Sequence, residues 1–452
     1  MPRRHRFALL ALLAAPSLPH PSQAQEPGRV TFERYALPNG LTVILSEDHS
    51  AQVVAVDVWY DVGSRDERPR RTGFAHLFEH MMYQGSANVK KGDHMALLER
   101  AGSQGFNGST AEDRTNYYQP LPSNRLNLGL WLEADRMRSL AVTGSNFANQ
   151  REAVKEERRL KVDNQPYGRA IFEDAYALID STSCFPYSHS IIGSMADLDA
   201  ATTADVKAFF DLYYAPNNAT LVVVGDFAPA EAKRLIQQYF GDIPRRQSPP
   251  KVTCGQRFNT GAVRRVVHDP RANLPATMQI VRVPPYDHPD YPALALLTTI
   301  LGGGESSRLN RSLARDAKVA VATPVYLNPF GPRRGPGGLL LWAIANQGVA
   351  VDSLDRLLAA ELAAVAAGGV APAELEKARN AYRASVIYER QTALSVAEAL
   401  QTATMFLGNP DAVNTDFTRY MAVTADDVKR VAATYLRPEN TLTLIITPEA
   451  PR

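Results

Sequence analysis

The segment TTADVKAFFDLYYAPNNATLVVVGD, residues 202–226, returns near the end of the chain as TADDVKRVAATYLRPENTLTLIITP, residues 424–448. At a constant offset of 222 and without a gap, Asp205 matches Asp427, Val206 matches Val428, Tyr213 matches Tyr435, Pro216 matches Pro438 and Asn218 matches Asn440. Each copy reads as a Thr-capped helix, a Pro-containing turn and a β-branched strand. The chain is therefore expected to be a duplication of a unit a little over 200 residues long. Its 452 residues also exceed what one hydrophobic core usually serves.

Between the two units, GDIPRRQSPPKVTCGQRFNTG (241–261) is rich in Pro, Gly and charge and reads as a connector. The expected division is a first domain over 25–243, a linker over 244–261 and a second domain over 262–452. Each half opens with strand-like alternation: LTVILSED and VVAVDVWYDVG in the first, VRRVVHD and ATMQIVRVP in the second. Longer helical patterns follow. Strands and helices mix without strict βαβ alternation, so the predicted class is α+β rather than a doubly wound sheet.

Residues 1–24 stand apart. Arg3, Arg4 and Arg6 precede an apolar run from Phe7 to Leu18 and then small residues before Gln25, the order of a secretory signal peptide cleaved after Ala24. The apolar run is too short to span a bilayer, and no cysteine stands at the junction to carry a lipid. Removal of the leader leaves 46 Lys+Arg against 47 Asp+Glu, a net charge of about −1. That balance gives no basis for binding nucleic acid, and no later apolar run is long enough for stable membrane insertion. Cys184 and Cys254 are compatible with a disulfide or with two buried thiols.

The chemistry lies in GFAHLFEHMMYQGS, residues 73–86. On a helix, His80 falls about 40° to one side of His76 and Glu79 about 60° to the other, so all three share one face. Imidazoles at i and i+4 can reach one zinc ion, with the carboxylate beside it as a base. The alternative is a pair of hydrogen-bonded core histidines. A third protein ligand is needed, and the candidate is Glu157 in NFANQREAVKEERRLKVDNQ. With Ala153 at 0°, the apolar stripe of Ala153, Val154, Leu160 and Phe147 centres near about 50°, and Glu157 falls near about 40°. Gln150, near about 60°, shares that direction and could orient a ligand. The competing reading is a solvated acid–base face with Arg151, Lys155, Arg158 and Arg159.

HLFEH, the following Glu157 77 residues beyond His80, and the duplicated halves resemble the inverzincin peptidases of the pitrilysin and mitochondrial-processing-peptidase superfamily. FNGSTAEDRTNYY, EAVKEERR, YYAPNNATLVVVGDF and LGGGESSRL extend the resemblance over essentially the whole mature chain. It implies two homologous halves, each a mixed sheet faced by helices, packed as a clam shell. It further implies a zinc metalloendopeptidase, one ion per chain held by His76, His80 and Glu157, with Glu79 as general base. Asn107, Gly108, Ser109 and Thr110 would form the edge strand to which an extended peptide adds. The alternative for Asn107 and Thr110 is ordinary turn and strand polarity.

Two departures stand out. The family commonly has a glutamate at the position of Gln150. The family's second half also supplies an Arg and a Tyr that hold the substrate; here Arg315 is the candidate Arg, the expected Tyr falls near Val321, and Tyr326 is out of register. Arg315 equally fits a surface charge. The expectation is a periplasmic endopeptidase of peptides or unfolded segments, as a homodimer or as a heterodimer with another family chain. The alternative is a zinc-holding subunit that needs a partner's Arg/Tyr half, or that serves in peptide binding or assembly.

Overall fold

The computed structural model describes residues 27–178, 184–254, 260–329, 331, 333–335 and 337–449. The expected leader, residues 1–24, lies outside them. The first half is built on a six-stranded sheet: β1 (Glu33–Ala36), β2 (Thr42–Glu47), β3 (Val53–Tyr60), β4 (Asn107–Thr110), β5 (Thr115–Pro122) and β6 (Ala219–Gly225). Their order is β1-β2-β6-β3-β5-β4, with β2 parallel to β6 and the other pairs antiparallel. The second half has β7 (Val263–Asp269), β8 (Ala276–Val283), β9 (Ala320–Ala322), β10 (Val325–Leu327), β11 (Gly337–Ala345) and β12 (Thr441–Pro448). Their order is β10-β11-β8-β12-β7, with β9 also on β11 and only β12–β7 parallel.

The repeat seen in the sequence occupies equivalent places. Thr202 caps the Thr203–Tyr213 helix through the Asp205 amide, and Thr424 caps Ala425–Tyr435 through the Asp427 amide. Each helix runs through a short Pro-led turn into the strand that lies between one parallel and one antiparallel neighbour, β6 and β12. Asn218 and Asn440, one repeat apart, each donate an amide to the carbonyl of the preceding tyrosine at 2.9 Å. A β-branched, apolar strand belongs at such a central position because both faces are buried; Leu221 to Val224 are at most 1% exposed.

Each half has its own apolar core, one around Val56, Leu77, Phe78 and Val223, the other around Val281, Leu297, Leu341 and Val428. The halves also exchange cover. The Ala393–Leu407 helix of the second half seats Val396, Ala397 and Leu400 on Ile44, Ala55, Val222 and Val224 of the first sheet. Ala170, Ala175 and Leu178 of the first half lie on Met278, Ile280, Leu442 and Leu444 of the second. The result is two α+β halves, each a mixed sheet faced by helices, closed on each other as a clam shell. Cys184 and Cys254 are joined in a disulfide, Cα–Cα 5.4 Å, which answers the pairing question left open by the sequence. Among the described residues no single helix is long and apolar enough to cross a membrane.

Candidate metal centre

The helix that carries the two histidines, Phe74–Met81, has eight residues, a little over two turns instead of the three its flanking glycines suggest. It starts abruptly. Gly73 takes φ +87°, and a Cβ there would meet the Ile192 carbonyl oxygen at 2.7 Å. A glycine cap has no side chain to satisfy the first amides. The buried Glu67 does so instead, accepting from the amides of Gly73 and Ala75 at 2.8 Å each. The His189 Nε2 nitrogen lies 3.0 Å from the same carboxylate. Neither residue was singled out from the sequence. The available signal was a helix beginning at glycine, which requires an acceptor from elsewhere.

One face of this helix is apolar, with Phe74, Leu77, Phe78 and Met81 buried. The other turns His76, Glu79 and His80 towards Glu157 and β4. The Glu157 Oε2 oxygen lies 3.6 Å from His76 Nε2 and 3.2 Å from His80 Nε2. These three side chains are the one group of metal-binding residue types found clustered this closely among the described residues, with ligand atoms within 4.8 Å of one another.

The Glu157 helix, Gly144–Arg158, does not present its residues quite as the wheel predicts. Ala153 is exposed and Leu160 is 56% exposed; the inward residues are Phe147, Gln150, Val154 and Arg158. The buried stripe therefore centres near about 100° on the same wheel, and Glu157 sits at its margin. Leu160, about 120° from that centre, points outward, and past Arg158 the helix widens into a π turn, Arg159–Asp163. Nor is the stretch simply a solvated charged face. Arg158 is buried, donating to the Gly193 carbonyl at 2.7 Å and pairing with Glu173. Glu156 and Glu152 do follow the surface pattern, paired with Arg159 at 2.9 Å and Arg151 at 3.1 Å.

The charge states of His76 and Glu157 suit a cation, whereas His80 shares its proton with Glu157. Burial, followed by repulsion from His80, lowers the His76 pKa to about 4, so its imidazole is neutral at pH 7 with a free lone pair. The His80 hydrogen bond, aided by Lys161, lowers Glu157 to about 2 despite its partial burial. Burial opposes protonation of His80, but Glu157 and Glu79 outweigh it and raise its pKa. Burial raises Glu79, against the Thr110 hydrogen bond.

Would zinc fit these residues? Bonds of about 2.0–2.1 Å to tetrahedral ligands set the donors about 3.3 Å apart, close to the two separations above. The His76 Nδ1 nitrogen is buried and has no hydrogen-bond partner, while Nε2 of the same ring faces Glu157. The set of two imidazoles and one carboxylate suits zinc, and the residues fit it. The Lys161 ammonium holds the other Glu157 oxygen at 2.7 Å. Gln150 is buried and hydrogen-bonds His80.

The candidate base meets the candidate substrate strand. Thr110 donates its hydroxyl to Glu79 Oε2 at 2.7 Å. Among the described residues β4 pairs only with β5, which leaves its outer edge without a strand. Gly108 is needed there for close approach: a Cβ would stand 3.0 Å from Glu79 Cγ and 3.0 Å from the Tyr117 ring. Asn107 is exposed, and Ser109 bonds Asn116 at 2.7 Å. Arg315 is exposed on a π turn, Asn310–Asp316, without an ion pair among the described residues. Val321 on β9 is 55% exposed and Tyr326 on β10 is 48% exposed, so neither is part of the His–Glu cluster.

Comparison with known proteins agrees with this architecture. The family model described as Insulinase (Peptidase family M16) matches residues 42–179, and the Peptidase M16 inactive domain matches 200–382. A zinc protease of Helicobacter pylori, PqqE, is 30% identical over 92% of this chain and 93% of its own length. A crystal structure of a protease from Helicobacter pylori superposes with TM-score 0.88 at 28% identity, over 93% of this chain and 100% of that one. The periplasmic protease PqqL of Escherichia coli superposes at TM-score 0.73 and 16% identity; 94% of this chain covers 48% of that longer one. The fold thus defines a two-domain α+β chain of the M16 clam-shell type. It belongs to peptidase family M16.

Proposed function

We propose that the chain is a secreted zinc metalloendopeptidase acting on peptides or unfolded segments. The observation that carries this reading is Glu79, set between the His76–His80–Glu157 cluster and the open strand β4. His76, His80 and Glu157 would hold zinc. When bound, the ion supplies Lewis acidity that acidifies water and polarises a carbonyl. Glu79 takes a proton from the attacking water as its oxygen adds to the scissile carbonyl. The C–N bond then breaks, and the same carboxyl returns that proton to the departing amine. Thr110 orients the carboxylate while the backbone of Asn107 to Thr110 pairs with an extended substrate, a mode that reads main chain and tolerates many sequences. The disulfide and the leader-like N-terminus support export to an oxidising compartment such as the periplasm.

A second reading has its own observation. Val321, not a Tyr, stands where the resemblance places the family's substrate-holding Tyr, and it is 55% exposed on β9. On that reading a second family chain supplies the missing donors, or the chain serves in peptide binding. Cleavage of a quenched, unstructured peptide by the isolated mature chain distinguishes them. Hydrolysis that a chelator abolishes and zinc restores supports the peptidase acting on its own. No hydrolysis by a chain loaded with stoichiometric zinc transfers the chemistry to a partnered complex.

A further inference from the structure

The turn that follows β4 is gripped by the opposite half of the molecule. Ala111–Arg114 closes the β4–β5 hairpin, with the Ala111 amide donating to the Arg114 carbonyl at 2.9 Å. Its two carboxylates are fully desolvated: Glu112 is 1% exposed and Asp113 is 0% exposed. Arg333, between β10 and β11 of the second half and itself 2% exposed, donates Nη2 to Glu112 Oε1. The Tyr176 hydroxyl donates to the same oxygen at 2.8 Å. The Arg334 amide reaches Asp113 Oδ2 at 3.3 Å, and Tyr187 and Arg65 take Oδ1. From the first half, the amides of Ser64 and Arg65 hold the carbonyls of Ala111 and Glu112 at 3.2 and 3.0 Å.

Such a buried pair stabilises little compared with apolar packing of the same volume, yet it fixes geometry. The geometry it fixes matters. Two residues before Glu112 stands Thr110, whose hydroxyl holds Glu79. We propose that Arg333 is a positioning residue: by anchoring the hairpin tip it sets Thr110 and the open edge of β4 against Glu79. The second half, which lacks the histidine helix, thereby aligns the base and the substrate strand of the first. This rests on the peptidase reading above.

The test compares Arg333→Met and Arg333→Lys with Arg390→Met in the full mature chain. Arg390 bonds the Gly28 carbonyl of the first half and the Val413 carbonyl of its own, so it too makes a contact between the halves. Amide hydrogen exchange, zinc content and the KM-against-kcat split are read together. Arg333→Met is expected to speed exchange of the Gly108–Thr110 amides about tenfold. It should also lower kcat about tenfold with KM within about twofold and zinc unchanged. Arg333→Lys should recover part of both effects, and Arg390→Met should produce neither. If Arg333→Met unfolds the chain, Glu112→Gln, which keeps the side-chain shape, is read the same way. Wild-type exchange and kcat in a folded Arg333→Met or Glu112→Gln chain overturn the proposal. Should the wild type cleave nothing, the functional reading fails, and the exchange comparison still decides whether Arg333 positions β4.

Discussion

The first half follows β3 with Phe74–Met81; the second follows β8 with Tyr291–Gly302. Both helices pack into the core of their own half. The second is apolar nearly all round, with Leu294, Leu297 and Leu301 fully buried. The first places two imidazoles and a carboxylate in the corresponding layer, against Glu157 and β4. The fold evidently needs only the apolar version. Polar groups at such depth cost free energy unless something compensates them, so the difference between the helices marks where this chain departs from packing for the sake of a site. It also matches the candidate ligand cluster found, among the described residues, in the first half alone.

The comparison can be broken most sharply by removing a ligand. His80→Ala is expected to bring zinc from about one per chain towards zero and peptide hydrolysis to background, with the fold retained. Retention of stoichiometric zinc, read by elemental analysis, would place the metal elsewhere. Next in size is the cover that the halves exchange. Leu400→Ala, deep between the Ala393–Leu407 helix and the first sheet, should cost about 2–5 kcal/mol. Because the helix belongs to one half and its seat to the other, denaturant unfolding should shift for both halves together; a shift confined to the second would show that they are not coupled there.

The duplicated asparagines come third. Asn440 is 0% exposed and Asn218 is partly buried, so Asn440→Ala should cost about 1–3 kcal/mol and Asn218→Ala less. Equal losses in urea midpoint would contradict that ranking. Smallest are the caps. Thr202→Ala and Thr424→Ala each break a reciprocal capping box on an exposed helix start, and should each cost about 1 kcal/mol.

Much of this was legible in the sequence because the signals are local. The repeat announced two copies of helix, turn and central strand, and Thr202 and Thr424 cap where the motif says they should. The spacing of His76, Glu79 and His80 needed only a helix to become a shared face. The pairing of Glu157 with that face was reached by a stripe that proved misplaced, since Ala153 and Leu160 point outward and a π turn intervenes. Long-range partners were illegible. Nothing near Glu67 in the chain says that it caps a helix six residues on with help from His189. Nor does any periodicity in residues 393–407 reveal that this helix lies on the sheet of the other half. Arg333 and Glu112 meet across 221 residues, a separation at which pattern carries no information about contact.

Whether the polar helix of the first half is a working hydrolytic site is decided by Glu79→Gln. Wild type and variant are purified as mature chains, their zinc is counted, and hydrolysis of one unstructured quenched peptide is followed for both. Equal zinc, about one per chain, is expected in both, with hydrolysis lower in the variant by about 10²–10⁴-fold, the range of a lost general base. Equal hydrolysis by the two, with zinc present in both, would contradict that role.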